Sequence, residues 1–165
     1  MKTKHQKIYE LTQDIKMVML TTVSEDGALH SRPMRAQEMD EEGNIWFFTS
    51  SASAKVVEIN DHQQVNLAYV LPEDGSYVSI AVTAELVHDR IKAQELWNPA
   101  LKAWFPLGLD EPDLALLKVR IDSAEYWDAP QGKMVELFKM AGAAMTGRQM
   151  REVREEHGRA NFNRH

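Results

Sequence analysis

The sequence predicts an antiparallel β-barrel with helices at its periphery. About six apolar segments have the patterning of strands, and turn signals at residues 25–27 and 42–44 join several of them as hairpins. Helical spacing is confined to the ends of the chain and to two connections. Consecutive hairpins with few helices are typical of a closed antiparallel sheet rather than of a βαβ fold.

The elements follow one another along a single domain, which we place at residues 1–147. The predicted strands cover residues 17–23, 29–39, 45–48, 64–71, 77–88 and 114–126. The predicted helices cover residues 8–15, 55–59, 91–97 and 133–145. Pro33 lies inside the second strand and cannot donate to a ladder, so this strand is expected at an edge of the sheet or at a bulge.

The last residues of the chain, 148–165, differ in composition from the rest. This tail carries five arginines against three glutamates and has few apolar anchors. The pattern predicts an exposed helix or a mobile end.

Composition and charge exclude several classes of protein. The net charge of -6 argues against a nucleic-acid binder and against binding to an anionic membrane surface. The chain has no cysteine, no run of 18 apolar residues and no apolar segment typical of a signal peptide, which fits a cytoplasmic protein. Its six histidines lack the spacing of a metal site, and no nucleophile elbow or dinucleotide fingerprint occurs. The catalytic residues therefore stay unknown.

Residues 43–59 have a composition suited to binding a phosphate. An aromatic strand leads into a hydroxyl-rich turn with Thr49, Ser50 and Ser53, and Lys55 then opens a helix. Backbone N–H groups at a helix N-terminus favour an anion, hydroxyls donate hydrogen bonds, and a lysine adds positive charge. The alternative is a solvated turn with a surface lysine.

Together with residues 27–35, this segment resembles the FMN-binding split-barrel family related to pyridoxamine 5′-phosphate oxidase, and in particular its general stress protein branch. The family pattern is a strand arginine, an aromatic–threonine pair, a serine, and a lysine that starts a helix. The matching residues here are Arg32, Phe48, Thr49, Ser53 and Lys55. Further similarity in segments 102–108, 111–114 and 125–130 extends the resemblance over most of the domain.

The resemblance implies a split β-barrel that binds FMN, with FAD as an alternative. It assigns the phosphate to Arg32 and Lys55, with help from Thr49, Ser50 and Ser53. For Arg32 the alternative is an ion pair on an exposed strand. Arg35 would point to the opposite face from Arg32 if the strand stays regular.

For the flavin ring, the resemblance implies that the main chain of Pro33 and Met34 runs past it and that Phe48 contacts it. Tyr77 occupies the position of a flavin-contacting glutamine in the oxidases, and Trp127 matches a position that meets the flavin from a second subunit. The expected assembly is therefore a homodimer with flavin sites at its interface. Phe48 could instead be ordinary core packing, and Trp127 an edge aromatic that stabilises the last strand.

Two departures from the oxidase pattern argue against pyridoxine-phosphate oxidation. Ala54 replaces the arginine that oxidases carry beside the lysine, and no counterpart of their C-terminal Arg-x-His pattern follows Trp127. The hypothesis is a flavin-dependent oxidoreductase of unknown substrate, with a reduced nicotinamide or a small organic molecule as redox partner. The alternatives are a flavin-binding or flavin-storing stress protein without turnover, and a split barrel that uses haem or a deazaflavin.

Overall fold

The computed structural model describes residues 4–71, 73, 75–128 and 156–161. The helices are α1 (Lys4–Thr12), α2 (Ala54–Asp61) and α3 (Arg90–Leu96), with 3₁₀ turns at Pro99–Ala103 and Gly108–Asp110. The strands are β1 (Met17–Val23), β2 (Leu29–Arg35), β3 (Asn44–Ser50), β4 (Gln64–Leu71), β5 (Ser76–Val87), β6 (Leu114–Asp128) and β7 (Glu156–Asn161).

These strands form one antiparallel sheet that curls towards closure. Its order is β2-β1-β4-β5-β6-β3, and β7 adds to β6 beside this path. At the open side, Ala36 forms a bridge with Phe47, and the Gln37 N–H donates to the Trp46 carbonyl. The segment after β2 therefore meets β3, the last strand of the path. The predicted class, mainly antiparallel β with few peripheral helices, is confirmed.

Strand β6 is long enough to pair with three neighbours. Its first half pairs with β3, its second half pairs with β7, and β5 runs along both. The register with β5 shifts between Ala81 and Val82, which leaves Asp122 as an extra residue in β6. The Thr83 hydroxyl donates to the Asp122 carboxylate over 2.7 Å. A bulge of this kind bends a strand and increases its twist, which helps the sheet to curl.

The alternating side chains of β3 belong to two different cores. Ile45 and Phe47 point into the main core inside the sheet, and Trp46 and Phe48 point into a second core under α3 and the first 3₁₀ turn. Both faces of β3 are therefore buried, which explains why its sequence is a continuous apolar run rather than an alternating one.

Most predicted strands agree with the structure, and two predictions need correction. Pro33 pairs with Met19 in a regular register, so β2 is an edge strand as expected, without a bulge at this proline. The strand ends at Arg35 instead of residue 39, because after the bond from the Ala36 N–H to the Lys16 carbonyl the chain leaves β1 and turns to meet β3. The exposed helix expected in the tail is wrong for residues 156–161, which pair with the free edge of β6. The predicted helix 133–145 lies outside the described residues.

Asp40 organises the turn between β2 and β3. Its carboxylate accepts hydrogen bonds from the backbone N–H groups of Glu42 (3.0 Å) and Asn44 (2.8 Å), and from the indole N–H of Trp46 (2.8 Å). Burial alone would raise the pKa of Asp40, but the hydrogen bonds from Trp46 and Asn44 outweigh it and hold the pKa below 3.8. The ionised carboxylate therefore stabilises the fold at neutral pH, and this contribution is lost as the pH falls through its folded pKa.

We expect Asp40→Ala to lower the free energy of unfolding by about 2–4 kcal/mol, because it removes the acceptor of a largely buried indole N–H and of a turn N–H together. Urea denaturation followed by tryptophan fluorescence measures this. The neighbouring exposed Glu41→Ala is the matched control and should cost less than about 0.5 kcal/mol. Equal effects of the two substitutions would contradict the structural role of Asp40.

Candidate functional site

The N-terminus of α2 carries the predicted hydroxyl and lysine residues. Ser53 is the N-cap residue of α2, yet its side chain makes no capping hydrogen bond. Its hydroxyl instead donates to the Ser50 carbonyl over 2.7 Å and accepts from Lys55 Nζ over 3.1 Å. Thr49 is buried at the end of β3, just before this turn. The predicted strand, turn and helix start are therefore brought together.

The ammonium group of Lys55 lies in an unfavourable electrostatic environment. Burial and then the positive charge of Arg32 lower its pKa below the usual 10.5. Its position in the first turn also places a cation where the helix dipole disfavours one. Among the described residues, no carboxylate lies within ion-pair distance of Lys55. A lysine at a helix N-terminus that is also repelled by an arginine is the arrangement expected of an anion site.

Arg32 reaches this region from β2 and is held by a network of polar groups. Its guanidinium donates to the Thr22 hydroxyl (2.5 Å) and to the Glu58 carboxylate (3.3 Å), and Thr22 donates to the same carboxylate. His30 Nδ1 donates to the other Glu58 oxygen over 2.7 Å. The ion pair that the alternative interpretation expects for Arg32 is therefore present, but the side chain is only 24% exposed.

Glu58 is the one carboxylate of this network. Hydrogen bonds from Thr22 and His30, and then the charges of His30 and Arg32, lower its pKa from 4.5. Because the pKa is lower in the folded chain, ionised Glu58 stabilises the fold above its unfolded pKa, and the contribution is lost as the pH falls.

Sequence reasoning missed Thr22, His30 and Glu58 as members of the site. A signal for two of them was available. His30 alternates with Arg32 along one face of a strand, and Glu58 follows Lys55 by three residues on a helix, so each pair shares a face. Thr22 carries no such signal, since only the pairing of β1 with β2 places it beside Arg32.

Two of the predicted ring-contacting residues, Tyr77 and Trp127, lie apart from this site. Pro33 and Met34 directly follow Arg32 on β2, and contact between their main chain and a flavin stays a prediction. Pro33, Tyr77 and Trp127 occupy the outer face of the sheet, whereas Arg32 shares the inner face with Leu20. Thr49 pairs with Ala115 at the start of β6, and Trp127 lies about 40 Å further along that strand at 3.3 Å per residue. Tyr77 and Trp127 are cross-strand partners, and 45% of Tyr77 is exposed.

The two remaining predicted contacts, Phe48 and Met34, pack their side chains in the cores. The Phe48 ring, 6% exposed, lies edge-on to Trp97 with centroids 5.6 Å apart and also contacts Phe105. Met34 packs against the main core. Core packing therefore accounts for both side chains, and contact between Phe48 and a flavin stays a prediction. Arg35 faces away from Arg32, as a regular strand requires.

Residues 3–151 match the sequence model described as pyridoxamine 5′-phosphate oxidase like. The chain belongs to the pyridoxamine 5′-phosphate oxidase-like family. Protein bli-3 of Neurospora crassa is 27% identical to this family member over 92% of the chain and 81% of its own length.

Solved structures agree with this family assignment. A protein from Jannaschia sp. CCS1 shares the fold, with a TM-score of 0.70, 24% identity and coverage of 96% of this chain and 98% of its own. The general stress FMN/FAD binding protein of Xanthomonas citri is 31% identical, with a TM-score of 0.66, over 76% of this chain and 89% of its own. The resemblance seen in the sequence is thus confirmed at the level of family and fold.

The described part of the chain contains neither a metal-ion cluster nor a membrane-spanning helix. No group of three or more histidine and carboxylate side chains there is arranged to hold a metal ion. No helix within those residues is long and apolar enough to cross a membrane.

Proposed function

We propose that this protein binds FMN and that Arg32 and Lys55 hold the flavin phosphate. The observation that carries the proposal is the Lys55 ammonium group in the first turn of α2, whose pKa is lowered by burial and by repulsion from Arg32 and which has no carboxylate within ion-pair distance among the described residues. A flavin phosphate carries close to two negative charges near neutral pH and would relieve this repulsion. The similarity to a protein named as FMN/FAD binding supports a flavin as the ligand.

The remaining residues of the turn fit a phosphate as well. The hydroxyl of Ser53 is not used to cap α2, so it can turn to a phosphate oxygen together with Lys55. The planar guanidinium group of Arg32 presents its N–H donors in a geometry that suits an oxyanion. FMN would supply the hydride and electron chemistry, and this chain would supply binding, orientation and electrostatics.

The flavin site of the proposal is shared between two chains. Within one chain, Arg32 faces the inner side of the sheet and Trp127 the outer side, and Trp127 lies near the end of β6, whereas Thr49 pairs with Ala115 at its start. The outer face also presents exposed apolar side chains on three adjacent strands, namely Met17, Met19, Val70 and Tyr77. A second copy that covers this patch would bring its own Trp127 and Tyr77 towards the ring. A homodimer of this kind needs no additional partner chain.

The activity that follows is a flavin-dependent oxidoreductase with a small-molecule redox partner. Anaerobic mixing of the FMN-loaded protein with reduced nicotinamide, followed at the flavin absorption bands, tests whether the flavin turns over. Bleaching supports an oxidoreductase with a nicotinamide donor. A spectrum that stays oxidised with this donor and with small organic reductants supports a flavin-binding protein without turnover.

Titration of flavin-free protein with FMN tests binding itself. We expect saturable quenching of flavin fluorescence with a dissociation constant of tens of micromolar or tighter, roughly 6 kcal/mol or more of binding free energy. The absence of any saturable change in this range would overturn the proposed function. The absorption spectrum of protein purified from cells distinguishes flavin from haem and from a deazaflavin.

A further inference from the structure

Among the described residues, Arg32 forms an ion pair with the carboxylate of Glu58. We propose that Glu58 is an internal counter-ion that competes with the flavin phosphate for Arg32 and so sets the affinity of the site for phosphate monoesters. This inference rests on the proposed function and names a residue that controls it. Nothing in the pattern of strand arginine, serine and lysine requires a carboxylate at this position.

The two cations of the site differ in how their charges are compensated. Glu58 lies one turn after Lys55 on α2, yet it pairs with Arg32 at 3.3 Å and not with Lys55. Lys55 has only the Ser53 hydroxyl, at 3.1 Å, among the described residues. A phosphate that arrives at the site therefore meets one cation without a counter-ion and one cation that already has an anionic partner.

Glu58 has other donors that can hold it when Arg32 turns to a phosphate. The Thr22 hydroxyl donates to one carboxylate oxygen, and His30 Nδ1 donates to the other over 2.7 Å. Only 12% of the Glu58 side chain is exposed, and a carboxylate left there without donors would be costly. With Thr22 and His30 in place, Arg32 can exchange partners without leaving Glu58 unpaired. The exchange lowers the affinity for phosphate but does not prevent binding.

Replacement of Glu58 by glutamine tests the competition, because the amide keeps the shape and one acceptor while the charge disappears. We expect Glu58→Gln to tighten FMN binding about tenfold, since Arg32 is released and repulsion of the phosphate is removed. Riboflavin binding should not change, because riboflavin has no phosphate. The unfolding temperature should fall, because the ion pair with Arg32 is lost. If Glu58 only stabilised the fold, its replacement would not produce a less stable protein that binds FMN more tightly.

Glu41→Gln is the matched control, since it changes the net charge equally at an exposed position of the β2–β3 turn. It should leave the affinity for FMN unchanged. If Glu58→Gln does not fold, Glu58→Ala serves as the second variant. It should also tighten FMN binding. A double-mutant cycle with Arg32→Ala isolates the competition, because the gain from Glu58→Gln should shrink when Arg32 is absent.

The outcomes separate this inference from the proposed function. If the unmodified protein binds FMN and Glu58→Gln binds it equally or more weakly, the competition is overturned and the FMN site stands. A gain that is undiminished in the Arg32→Ala background would also overturn it, because Glu58 would then act by general repulsion and not through Arg32. If the unmodified protein binds no FMN, both proposals fail.

Discussion

Lys55→Ala is expected to weaken FMN binding about ten- to a hundredfold and to leave riboflavin binding nearly unchanged. A charge-assisted hydrogen bond contributes about 1.5–3 kcal/mol, and only FMN has a phosphate to receive one. Fluorescence titration of FMN and of riboflavin against the unmodified protein and Lys55→Ala gives the four dissociation constants required. Lys102→Ala, which removes a lysine from an exposed position in the first 3₁₀ turn, is the matched control and should bind both ligands normally.

The pH dependence of the same titration gives an independent check on Lys55. Its pKa is lowered by burial and by Arg32, and a bound phosphate should raise it again. FMN affinity should therefore decrease as the pH rises towards the range in which Lys55 loses its proton, and riboflavin affinity should not.

For the substitution itself, equal losses of FMN affinity and riboflavin affinity in Lys55→Ala would place this lysine away from the phosphate.

Mixed dimers of two damaged variants are expected to regain native FMN sites. Lys55→Ala and Trp127→Ala should each bind FMN weakly as homodimers. In a mixed dimer, one site collects both substitutions and the other collects neither, if Lys55 and Trp127 of each site come from different chains. Random exchange makes about half of the dimers mixed, so about a quarter of all sites should bind with native affinity.

The experiment requires unfolding and refolding the two variants together, with sedimentation to confirm the dimer. Each variant refolded alone is the control and should show only weak sites. A titration curve without a tight fraction, despite proven subunit exchange, would mean that the two residues serve one site from one chain or do not share a site. The separation of Trp127 from Thr49 along β6 is the structural reason to expect the tight fraction.

The barrel class and the local parts of the fold could be predicted from the sequence, and the strand pairings that close the sheet could not. β1 and β4 have the predicted bounds because the apolar run of β1 and the alternating pattern of β4 end at clear turn signals. The pairing of β3 with β6 joins residues far apart in the chain, and no local pattern encodes it. The tail strand was missed for the same reason, because the free edge of β6 exists only once the sheet is built.

The candidate site likewise has a part that could be predicted from the sequence and a part that could not. Ser53 and Lys55 lie within one strand–turn–helix segment, so their proximity follows from sequence order. Arg32 could be assigned only by resemblance. Helical spacing places Glu58 on the same face as Lys55, but its pairing with Arg32, and the place of Thr22 in the site, follow only from the contacts between β1, β2 and α2. The electrostatic character of the site depends on these contacts between elements, which is why sequence analysis proposed ligands for a phosphate but not the carboxylate beside them.

The pairing of β3 with β6 also has a consequence for synthesis on the ribosome. The hairpins β1–β2 and β4–β5 can form as soon as they emerge, but β3 must wait for residues 114–120. Until then the nascent chain exposes Trp46 and Phe47 on the two faces of an unpaired strand. Such long-range pairing is slow and leaves an intermediate prone to aggregation. We therefore expect this chain to be most prone to aggregation between translation of β3 and translation of β6.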